Sequence, residues 1–355
     1  MKKLLNTLSK IRPQDSAARA RARQRLESLA MPKWALGRLM DLAVDLAGMT
    51  GREDMKFSRR TVVVMAGDHG VADEGVSGYP SEVTLQMINT FLRGKAGVNA
   101  LAEQAGARVF VVDMGVKKVP KGFDPDGKIL DKRIGPGTSN IRKGPAMTRR
   151  EAQASVEAGI EVAHRLSGKT DMFATGDMGI GNTTASSAIV SVLCDAPVSV
   201  VTGKGTGIDE ESFDNKIRVI EDAIRINAPD GRDALDVLSK VGGFEIGGIA
   251  GLILGAASLG RPVMVDGFIS TAGALIAQAL CPVSTDYMIA AHRSVEQGHS
   301  VALERLGLEP LLDLGMRLGE GSGAALAFNI LDGAVNVYKR VATFEEAGVS
   351  GVTEK

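Results

Sequence analysis

The sequence predicts an α/β fold, a Rossmann-like parallel sheet flanked by helices, with a small helical domain built from both ends of the chain. Short apolar, β-branched runs alternate with segments of helical length, a pattern typical of strands buried on both faces of a parallel sheet. Each run also stops at glycine or a small polar residue. We assign residues 1–54 with 326–355 to the small helical domain and residues 55–325 to the large α/β domain, where we expect the functional site.

Two helices are predicted near the N-terminus. Residues 16–29 are charged and amphipathic, and residues 35–47 place leucine and alanine at helical spacing. Residues 324–341 are predicted to form another helix near the opposite end of the sequence. We therefore expect these three segments to pack together as a small second layer.

The middle of the chain predicts the sheet and its flanking helices. The predicted strands are residues 61–66, 108–112, 172–175, 198–202 and 262–265. The predicted helices between them are residues 81–104, 149–166, 183–193, 211–226 and 247–259, whereas residues 116–145 have the composition of a loop. Because open parallel sheets bind ligands beyond the carboxyl ends of their strands, we expect a site at that edge.

Composition narrows the classes of partner. Lys plus Arg and Asp plus Glu number 42 each, so no excess of charge favours nucleic acid or an anionic membrane surface. The apolar segment 246–259 is too short to span a bilayer and predicts a buried helix. The basic start of the chain is not followed by the apolar run of a signal peptide, and Cys194 and Cys281 are predicted to be reduced and buried. We therefore expect a cytoplasmic protein that acts on small molecules.

The densest motif is Gly-Asp-Met-Gly-Ile-Gly-Asn-Thr-Thr at residues 176–184, between a predicted strand and a predicted helix. Glycines allow close approach to the backbone, and amides at the start of a helix carry partial positive charge, so this turn suits a phosphate or carboxylate. Its spacing matches neither the phosphate loop nor the dinucleotide fingerprint. A tight, capped turn would use the same residues, so both interpretations stay open.

Two further glycine-rich segments carry ionisable side chains. Glu320 lies between glycines at the start of the last long helix, where it could act as a general base or only complement the helix dipole. Lys204, within the glycine-rich segment 203–207, and Lys216 could pair with a phosphate, or lie on a solvated surface.

Tyr79, Gln86 and the first histidine give weaker indications. Tyr79 and Gln86 lie at the start of a predicted helix and could line a pocket for a flat ring, although a capped helix explains them equally well. Asp68 and His69, with Asp73, fit no common zinc or two-metal spacing. We therefore expect no metal, and the lack of a Gly-x-Ser-x-Gly motif argues against a serine nucleophile.

Taken together, the motifs resemble one family. The matching segments are Ala-Gly-Asp-His-Gly-Val at 66–71, the Tyr-Pro to Gln-Met run at 79–87, Gly-Thr-Ser-Asn at 137–140, the motif at 176–184, Gly-Lys-Gly-Thr-Gly at 203–207, Asp-Gly-Phe at 266–268, Ala-His-Arg-Ser at 291–294 and Gly-Glu-Gly-Ser-Gly at 319–323. They occur in order over most of the chain and look like the nicotinate-nucleotide:dimethylbenzimidazole phosphoribosyltransferases. This resemblance implies transfer of phosphoribose from β-nicotinate mononucleotide to a benzimidazole, with inversion at C1′, during synthesis of the cobalamin lower ligand.

The resemblance also implies roles for single residues. Glu320 falls on the catalytic base of the family, and Asp177 falls where the family has a second glutamate near the ribose. Positions that correspond to the phosphate and ribose site are Gly179, Gly181, Asn182, Thr183, Gly205, Lys216 and Ser294. Positions around the aromatic acceptor are Tyr79, Gln86 and Leu318. A homodimer with shared sites is implied as well. No cofactor is expected, because nicotinate leaves from a ring nitrogen that is already positive and one base with good positioning can suffice.

Three positions depart from the family pattern. Asp177 is one methylene shorter than glutamate, Lys204 replaces an expected arginine, and residues 31–37 match only loosely. The natural acceptor stays open, because relatives accept purines or phenolic bases. Two other classes also remain. One is a phosphate-binding enzyme such as a nucleotide kinase, for which no triphosphate loop is visible. The other is a non-catalytic nucleotide sensor, against which the presence of Glu320 argues.

Overall fold

The computed structural model describes residues 2–120, 122–124 and 126–350. Its strands are β1 (Arg60–Gly67), β2 (Ala107–Gly115), β3 (Ile129–Asp131), β4 (Met172–Met178), β5 (Val263–Val265) and β6 (Met288–Ala290). They form one six-stranded sheet in the order β3-β2-β1-β4-β5-β6, and every neighbouring pair is parallel. This is the strand order of the Rossmann fold, so the predicted fold class is confirmed.

Helices pack around this sheet. They are α1 (Lys2–Leu8), α2 (Ser16–Glu27), α3 (Arg38–Thr50), α4 (Glu82–Leu92), α5 (Gly97–Gln104), α6 (Arg149–Leu166), α7 (Asn182–Cys194), α8 (Val198–Val201), α9 (Glu210–Asn227), α10 (Ala234–Val241), α11 (Phe244–Ala257), α12 (Phe268–Leu280), α13 (Gln297–Leu306), α14 (Ser322–Arg340) and α15 (Phe344–Ala347). Short 3-10 turns lie at Gly70–Glu74, Ser167–Lys169 and Pro282–Tyr287. Within the described ranges, no helix combines the length and the apolar character needed to cross a bilayer.

The core lies between β1 and the helices on either side of it. Every residue of β1 is buried, which explains its apolar run from Val62 to Ala66. All residues of α11 are buried too, as predicted for a helix in this region. The backbone of α11 lies directly against that of α6. A Cβ atom added at Gly251 would therefore lie only 1.9 Å from the carbonyl oxygen of Val156. Only glycine permits so close an approach of two helices.

The N- and C-terminal helices pack together, as the sequence predicts. α2 packs on α3, and α3 packs on α14. The amide of Phe344 donates to the carbonyl of Ser28 at 3.0 Å, which links the two ends of the chain. The division at residues 54 and 326 stays a prediction, since α14 runs across the second boundary. Residues 1 and 351–355 of that division lie outside the described residues.

Three local predictions were wrong. Residues 198–202 form the helical turn α8 and no strand, because Thr202 Oγ1 donates to the carbonyl of Val198 at 2.7 Å and closes the turn. The predicted helix 81–104 is two helices, separated at Gly94, whose φ of 68° ends α4. The predicted loop 116–145 contains the edge strand β3.

The strand order places a ligand site beside β1 and β4. The chain moves outward from β1 to β2 and β3, and then returns to the other side of β1 as β4. At such a reversal the loops that follow the two central strands diverge and leave a crevice at their carboxyl ends. The loops after β1, β4 and β5 therefore meet where the polar, glycine-rich segments of the sequence are concentrated.

Candidate active site

A cavity of about 740 Å³ opens at this edge of the sheet. The predicted site residues that line it are Tyr79, Asp177, Gly179, Gly181, Asn182, Thr183, Gly205, Ser294, Leu318 and Glu320. Further lining residues, to which the sequence assigned no role, are Val83, Met87, Phe268, His292, Glu296 and Arg317. Segments far apart in the sequence thus meet in one cavity, as the parallel sheet requires.

Two predicted residues do not line the cavity. Gln86 is exposed. The face of α4 that lines the cavity carries Val83 and Met87, which are four residues apart and so lie on the same side of the helix. Lys216 on α9 is fully buried, and its Nζ donates to Thr183 Oγ1 and to the carbonyl of Gly203, each at 3.0 Å. Lys216 therefore lies behind residues that line the cavity.

Burial changes the acidity of Lys216. Removal from water lowers the pKa of the Lys216 ammonium to about 8, although the nearby carboxylate of Glu296 opposes this change. The lysine consequently keeps its charge near neutral pH but loses it in mildly alkaline solution.

The turn between β4 and α7 is suited to an anion. Gly181 precedes α7 with a φ of 94°, and because it is glycine it offers no side-chain cap to the first amides of the helix. Gly179 lies directly against β1, since a Cβ atom there would be 2.1 Å from the carbonyl oxygen of Gly67. The amides of Asn182 and Thr184 donate to the carbonyls of Gly179 and Gly181 at 3.1 Å, so the turn partly caps itself, and no side chain caps the amide of Thr183 between them. An amide left open at a helix start suits phosphate or carboxylate, so the turn is compatible with an anion site.

Glu320 lies on a strained loop that rests on β4. Its φ of 65° is left-handed, a conformation unusual for a residue other than glycine, and Gly319 and Gly321 on either side are left-handed too. Gly176 of β4 allows the contact, because a Cβ atom there would lie 2.4 Å from the carbonyl oxygen of Glu320. Strained backbone of this kind is common at functional sites, which favours a role beyond complementing the helix dipole.

The carboxyl group of Glu320 is buried beside an amide. Its Oε2 accepts a hydrogen bond from the amide of Val98 at 3.3 Å. Burial raises the pKa of Glu320; the amide of Val98 opposes this rise, and the negative charge of Asp266 adds to it. A carboxylate with a raised pKa is a better proton acceptor than an exposed one, as a general base requires.

Asp177 lies at the end of β4, next to the same loop. Asn182 Nδ2 donates to its Oδ2 at 3.1 Å, whereas Oδ1 has no hydrogen-bond partner among the described residues. Burial raises the pKa of Asp177 well above its usual value, and the charges of Asp266, Glu245 and Glu320 raise it further. Burial therefore favours the neutral form of Asp177 more strongly than that of an exposed aspartate.

Asp266 joins the end of β5 to the start of α14. Its Oδ1 accepts from the amide of Ala324 at 2.8 Å, and its Oδ2 accepts from the amide of Gly321 at 3.1 Å. Burial raises the pKa of Asp266, while His292 and these amides oppose the rise. The sequence shows only an Asp-Gly pair after an apolar run, so this capping role depends on tertiary contacts.

The glycine-rich segment 203–207 is held to the cavity at Gly205. The amide of Gly205 donates to Glu296 Oε1 at 3.1 Å, and its carbonyl accepts from Arg317 Nη1 at 3.0 Å. Lys204 instead forms an ion pair with Glu210 and does not line the cavity. Glu296 lies in a segment without a glycine-rich motif, and Arg317 directly precedes the glycine-rich segment around Glu320 without being assigned a role from the sequence.

Comparison with known proteins agrees with this geometry. A family model described as phosphoribosyltransferase (DBI_PRT) matches residues 11–349. The chain belongs to this family. This phosphoribosyltransferase is 57% identical over 350 residues to the nicotinate-nucleotide–dimethylbenzimidazole phosphoribosyltransferase of Syntrophotalea carbinolica, with 99% of each chain covered. It is 51% identical over 355 residues to the protein of the same name from Roseiflexus sp. strain RS-1, with both chains covered completely.

Solved structures give the same result. A crystal structure of the nicotinate-nucleotide–dimethylbenzimidazole phosphoribosyltransferase of Thermus thermophilus matches with a TM-score of 0.89 at 43% identity, covering 95% of this chain and 100% of that one. A second structure from the same organism, titled CobT, matches with a TM-score of 0.90 at 44% identity and the same coverage of both chains. The resemblance drawn from the sequence motifs is confirmed.

Other ionisable groups of this phosphoribosyltransferase have structural partners. His69 Nε2 lies 2.7 Å from Glu245 Oε1, both side chains being buried. In the part of the chain that the structure describes, no group of three or more His, Cys, Asp or Glu residues is placed to hold a metal. Cys194 and Cys281 are free thiols that are half-buried, and so less buried than predicted. Burial raises the pKa of Cys194 to about 11, which keeps it a thiol.

Proposed function

We propose that this phosphoribosyltransferase moves 5-phosphoribose from β-nicotinate mononucleotide to 5,6-dimethylbenzimidazole or a related base. The products are α-ribazole 5′-phosphate and nicotinate, C1′ is inverted, and the step serves assembly of the cobalamin nucleotide loop. The observation that carries the proposal is that the glycine-rich turn before α7, a buried carboxylate and an apolar wall line one cavity. The relatives named nicotinate-nucleotide–dimethylbenzimidazole phosphoribosyltransferase, which match over nearly the full length of the chain, support the proposal.

The lining of the cavity suggests where each part of the two substrates binds. The phosphate of the donor fits against the start of α7, with Ser294 and Gly205 beside it and Lys216 behind. The acceptor ring fits at the apolar end, between Met87 and Leu318. The ribose then lies between these ends, beside Asp177 and Glu320, where C1′ can meet the acceptor nitrogen.

The proposed reaction needs one proton acceptor. The lone pair of the acceptor nitrogen forms the new bond to C1′, and Glu320 takes the N–H proton of the benzimidazole. The C1′–N bond to nicotinate breaks with its electron pair, which converts the positive ring nitrogen into a neutral one. Positioning of the two substrates supplies the rest of the acceleration.

Asp177 has a different part in this proposal. Because its raised pKa favours the neutral acid, it is suited to donate a hydrogen bond, for example to a ribose hydroxyl, and not to accept a proton. Burial of the neutral acid also avoids a second negative charge beside Glu320. The shorter side chain at this position is thus compatible with activity.

We further propose a cytoplasmic homodimer. Tyr79 and Leu318 line the acceptor end of the cavity but remain 56% and 58% exposed, so this end is open to solvent in a single chain. Apolar side chains around an opening are typical of a surface that another subunit covers. The shared site that the family resemblance implies fits this opening.

The kinase and sensor alternatives make different predictions for ligand binding. A nucleotide kinase would be stabilised by ATP with magnesium, and a sensor would bind nucleotide without turnover. In a thermal-shift experiment we expect β-nicotinate mononucleotide and benzimidazoles to raise the melting temperature and ATP to leave it unchanged.

The decisive test compares Glu320→Gln with the unmodified enzyme. We expect turnover, measured as nicotinate release and α-ribazole phosphate formation, to fall about 10²- to 10⁴-fold, with binding of the nucleotide retained in calorimetry. Glu304→Gln is the matched control, since Glu304 is exposed on α13 and does not line the cavity. A Glu320→Gln enzyme that keeps more than about half of its rate would show that Glu320 only complements the helix dipole.

A further inference from the structure

His69 and Glu245 form a buried ion pair behind the turn between β4 and α7. Neither side chain lines the cavity, and the reaction above uses neither. The imidazole lies against the turn, since a Cβ atom at Gly181 would be 3.2 Å from His69 Cβ and one at Gly179 would be 3.6 Å from His69 Cδ2. Both glycines line the cavity. The ion pair therefore lies behind the backbone that faces the proposed phosphate end.

The start of α11 fixes the imidazole from its other side. Nε2 lies 2.7 Å from Glu245 Oε1, and a Cβ atom at Gly243 would be only 2.5 Å from His69 Cε1. Burial opposes a charge on the ring, but the charges of Glu245 and Asp68 and the hydrogen bond to Glu245 outweigh it and raise the pKa of His69. The protonated Nε2 donates to the carboxylate, so the ring is fixed between α11 and the turn.

The backbone around His69 is clamped by a motif to which the proposed reaction gives no role. This motif is Gly-Thr-Ser-Asn at 137–140. The amide of Gly70 donates to the carbonyl of Thr138 at 3.1 Å, and the amide of Thr138 donates to the carbonyl of Asp68 at 2.9 Å. A Cβ atom at Gly70 would lie 2.6 Å from the backbone of this motif. The residues on both sides of His69 are thus held by a second segment.

Stability alone does not account for this ion pair. Removing two charged groups from water costs about as much free energy as their attraction returns, and apolar side chains of similar volume often stabilise a core as well or better. A charge-assisted hydrogen bond is, however, short and directional, so it defines a geometry. The geometry that it defines here is that of the adjoining turn, beyond which the amide of Thr183 has no side-chain cap.

We propose that His69, held by Glu245, is a positioning residue that keeps the turn at 179–181 in the conformation that binds the donor phosphate. The inference rests on the proposed function, because that phosphate belongs to the proposed donor. His69 touches neither substrate and exchanges no proton in the transfer. Without the ion pair the turn shifts, and the open amide of Thr183 no longer meets the phosphate.

A donor with and without its phosphate tests this role. The two ligands are β-nicotinate mononucleotide and nicotinate riboside, which share the ring and the ribose, and calorimetry without acceptor measures their dissociation constants. We expect His69→Asn, which is too short to reach Glu245, to weaken nucleotide binding about 10- to 100-fold, the loss that one hydrogen bond to a charged group allows. Riboside binding should stay within about threefold of that of the unmodified enzyme.

Two further variants separate positioning from general damage to the fold. The amide of His69→Gln can reach Glu245 from the place of Nε2, so this variant should recover most of the nucleotide affinity. Glu245→Asp keeps the charge but withdraws the carboxylate, so it should weaken nucleotide binding as His69→Asn does, and it serves if His69→Asn does not fold. His164→Asn is the matched control, because His164 is exposed on α6 and outside the cavity lining.

Several results would overturn the inference. Equal losses for nucleotide and riboside would leave His69 a purely structural role, and equal affinities in His69→Asn and His69→Gln would exclude the bond to Glu245 as the cause. Unchanged nucleotide binding in His69→Asn would refute it too. An unmodified enzyme that binds the nucleotide no more tightly than the riboside would show that the turn holds no phosphate, and this measurement needs no variant. If the unmodified enzyme does not bind the nucleotide at all, the proposed function itself fails.

Discussion

Asp177 and Glu320 are both buried carboxyl groups at the carboxyl edge of the sheet, and their surroundings give them different chemistry. Asp177 interacts with the charges of Asp266, Glu245 and Glu320, whereas Glu320 accepts a hydrogen bond from the amide of Val98. We therefore expect Asp177→Asn, which resembles the neutral acid, to lower the rate modestly and clearly less than Glu320→Gln. Asp177→Glu should stay active. Initial velocities of α-ribazole phosphate formation measure both effects.

The contrary result for Asp177 would be informative. If Asp177→Asn is as inactive as Glu320→Gln while nucleotide binding is retained, the two carboxyl groups share the proton or exchange roles. The single-base mechanism would then be wrong.

The raised pKa of Glu320 and the lowered pKa of Lys216 predict a bell-shaped pH dependence. Activity should fall in acid as Glu320 becomes protonated, at a pH above the usual value for a glutamate, since burial raises its pKa. The KM for the nucleotide should rise as the pH passes about 8, because Lys216 then loses the charge that faces the phosphate end. Steady-state kinetics across mildly acidic to alkaline pH separates the two limbs. A KM that is constant across the alkaline limb would contradict the role of Lys216.

The sequence revealed some site residues and could not reveal others. Glu320 and Asp177 stand within glycine-rich motifs, so local sequence alone marks them. Asp266, His292 and Glu296 depend on partners that are distant in the chain, and no local pattern carries that information. Whether Gln86 has any part in acceptor binding stays a prediction, since it is exposed in the single chain.

At the scale of secondary-structure elements, a clear apolar run decided what could be predicted. β1, β2 and β4 have seven to nine residues with apolar runs inside them, and the sequence located all three. β5 has only three residues but was located by its apolar run, whereas β3 and β6, equally short, were missed. The valine-rich run at 198–202 is as compatible with a buried helical turn as with a strand, and the hydrogen bond from Thr202 Oγ1 to the carbonyl of Val198 favours the turn.

Adding one methyl group at Gly176 tests the contact between β4 and the Glu320 loop. Gly176→Ala would place Cβ 2.4 Å from the carbonyl oxygen of Glu320, so the loop must move away from the strand. A displacement of about 1 Å near reacting groups can cost on the order of 10²-fold in rate. We expect a fall of this size in kcat, together with a lower melting temperature from overpacking.

Gly144→Ala is the control for this experiment, because no atom lies within 4 Å of the Cβ position there. It should leave rate and melting temperature unchanged. A Gly176→Ala enzyme with normal kcat would mean that the position of the Glu320 loop is not critical for transfer.

For the whole molecule, the open acceptor end of the cavity predicts an oligomer. We expect light scattering on the purified protein to give twice the chain mass of 37.2 kDa at the concentrations used for assay. Tyr79 and Leu318, which are exposed in the single chain, should then be covered by the second subunit. Slower hydrogen exchange or weaker chemical labelling of the segments around these two residues would show this. A fully active monomer would refute the shared-site proposal and leave the cavity of one chain as the complete site.

The distribution of the cavity wall among elements has a consequence for how the enzyme family changes over time. The apolar end includes Val83 and Met87 of α4, whereas the carboxyl groups stand on the sheet edge and on the loop that rests on β4, which also carries Leu318. Substitutions on the first wall can alter the shape available to the incoming ring without moving the groups that make and break bonds at C1′. A lineage can thus adopt a different lower base through a few changes on one helix while it inherits the transfer chemistry intact.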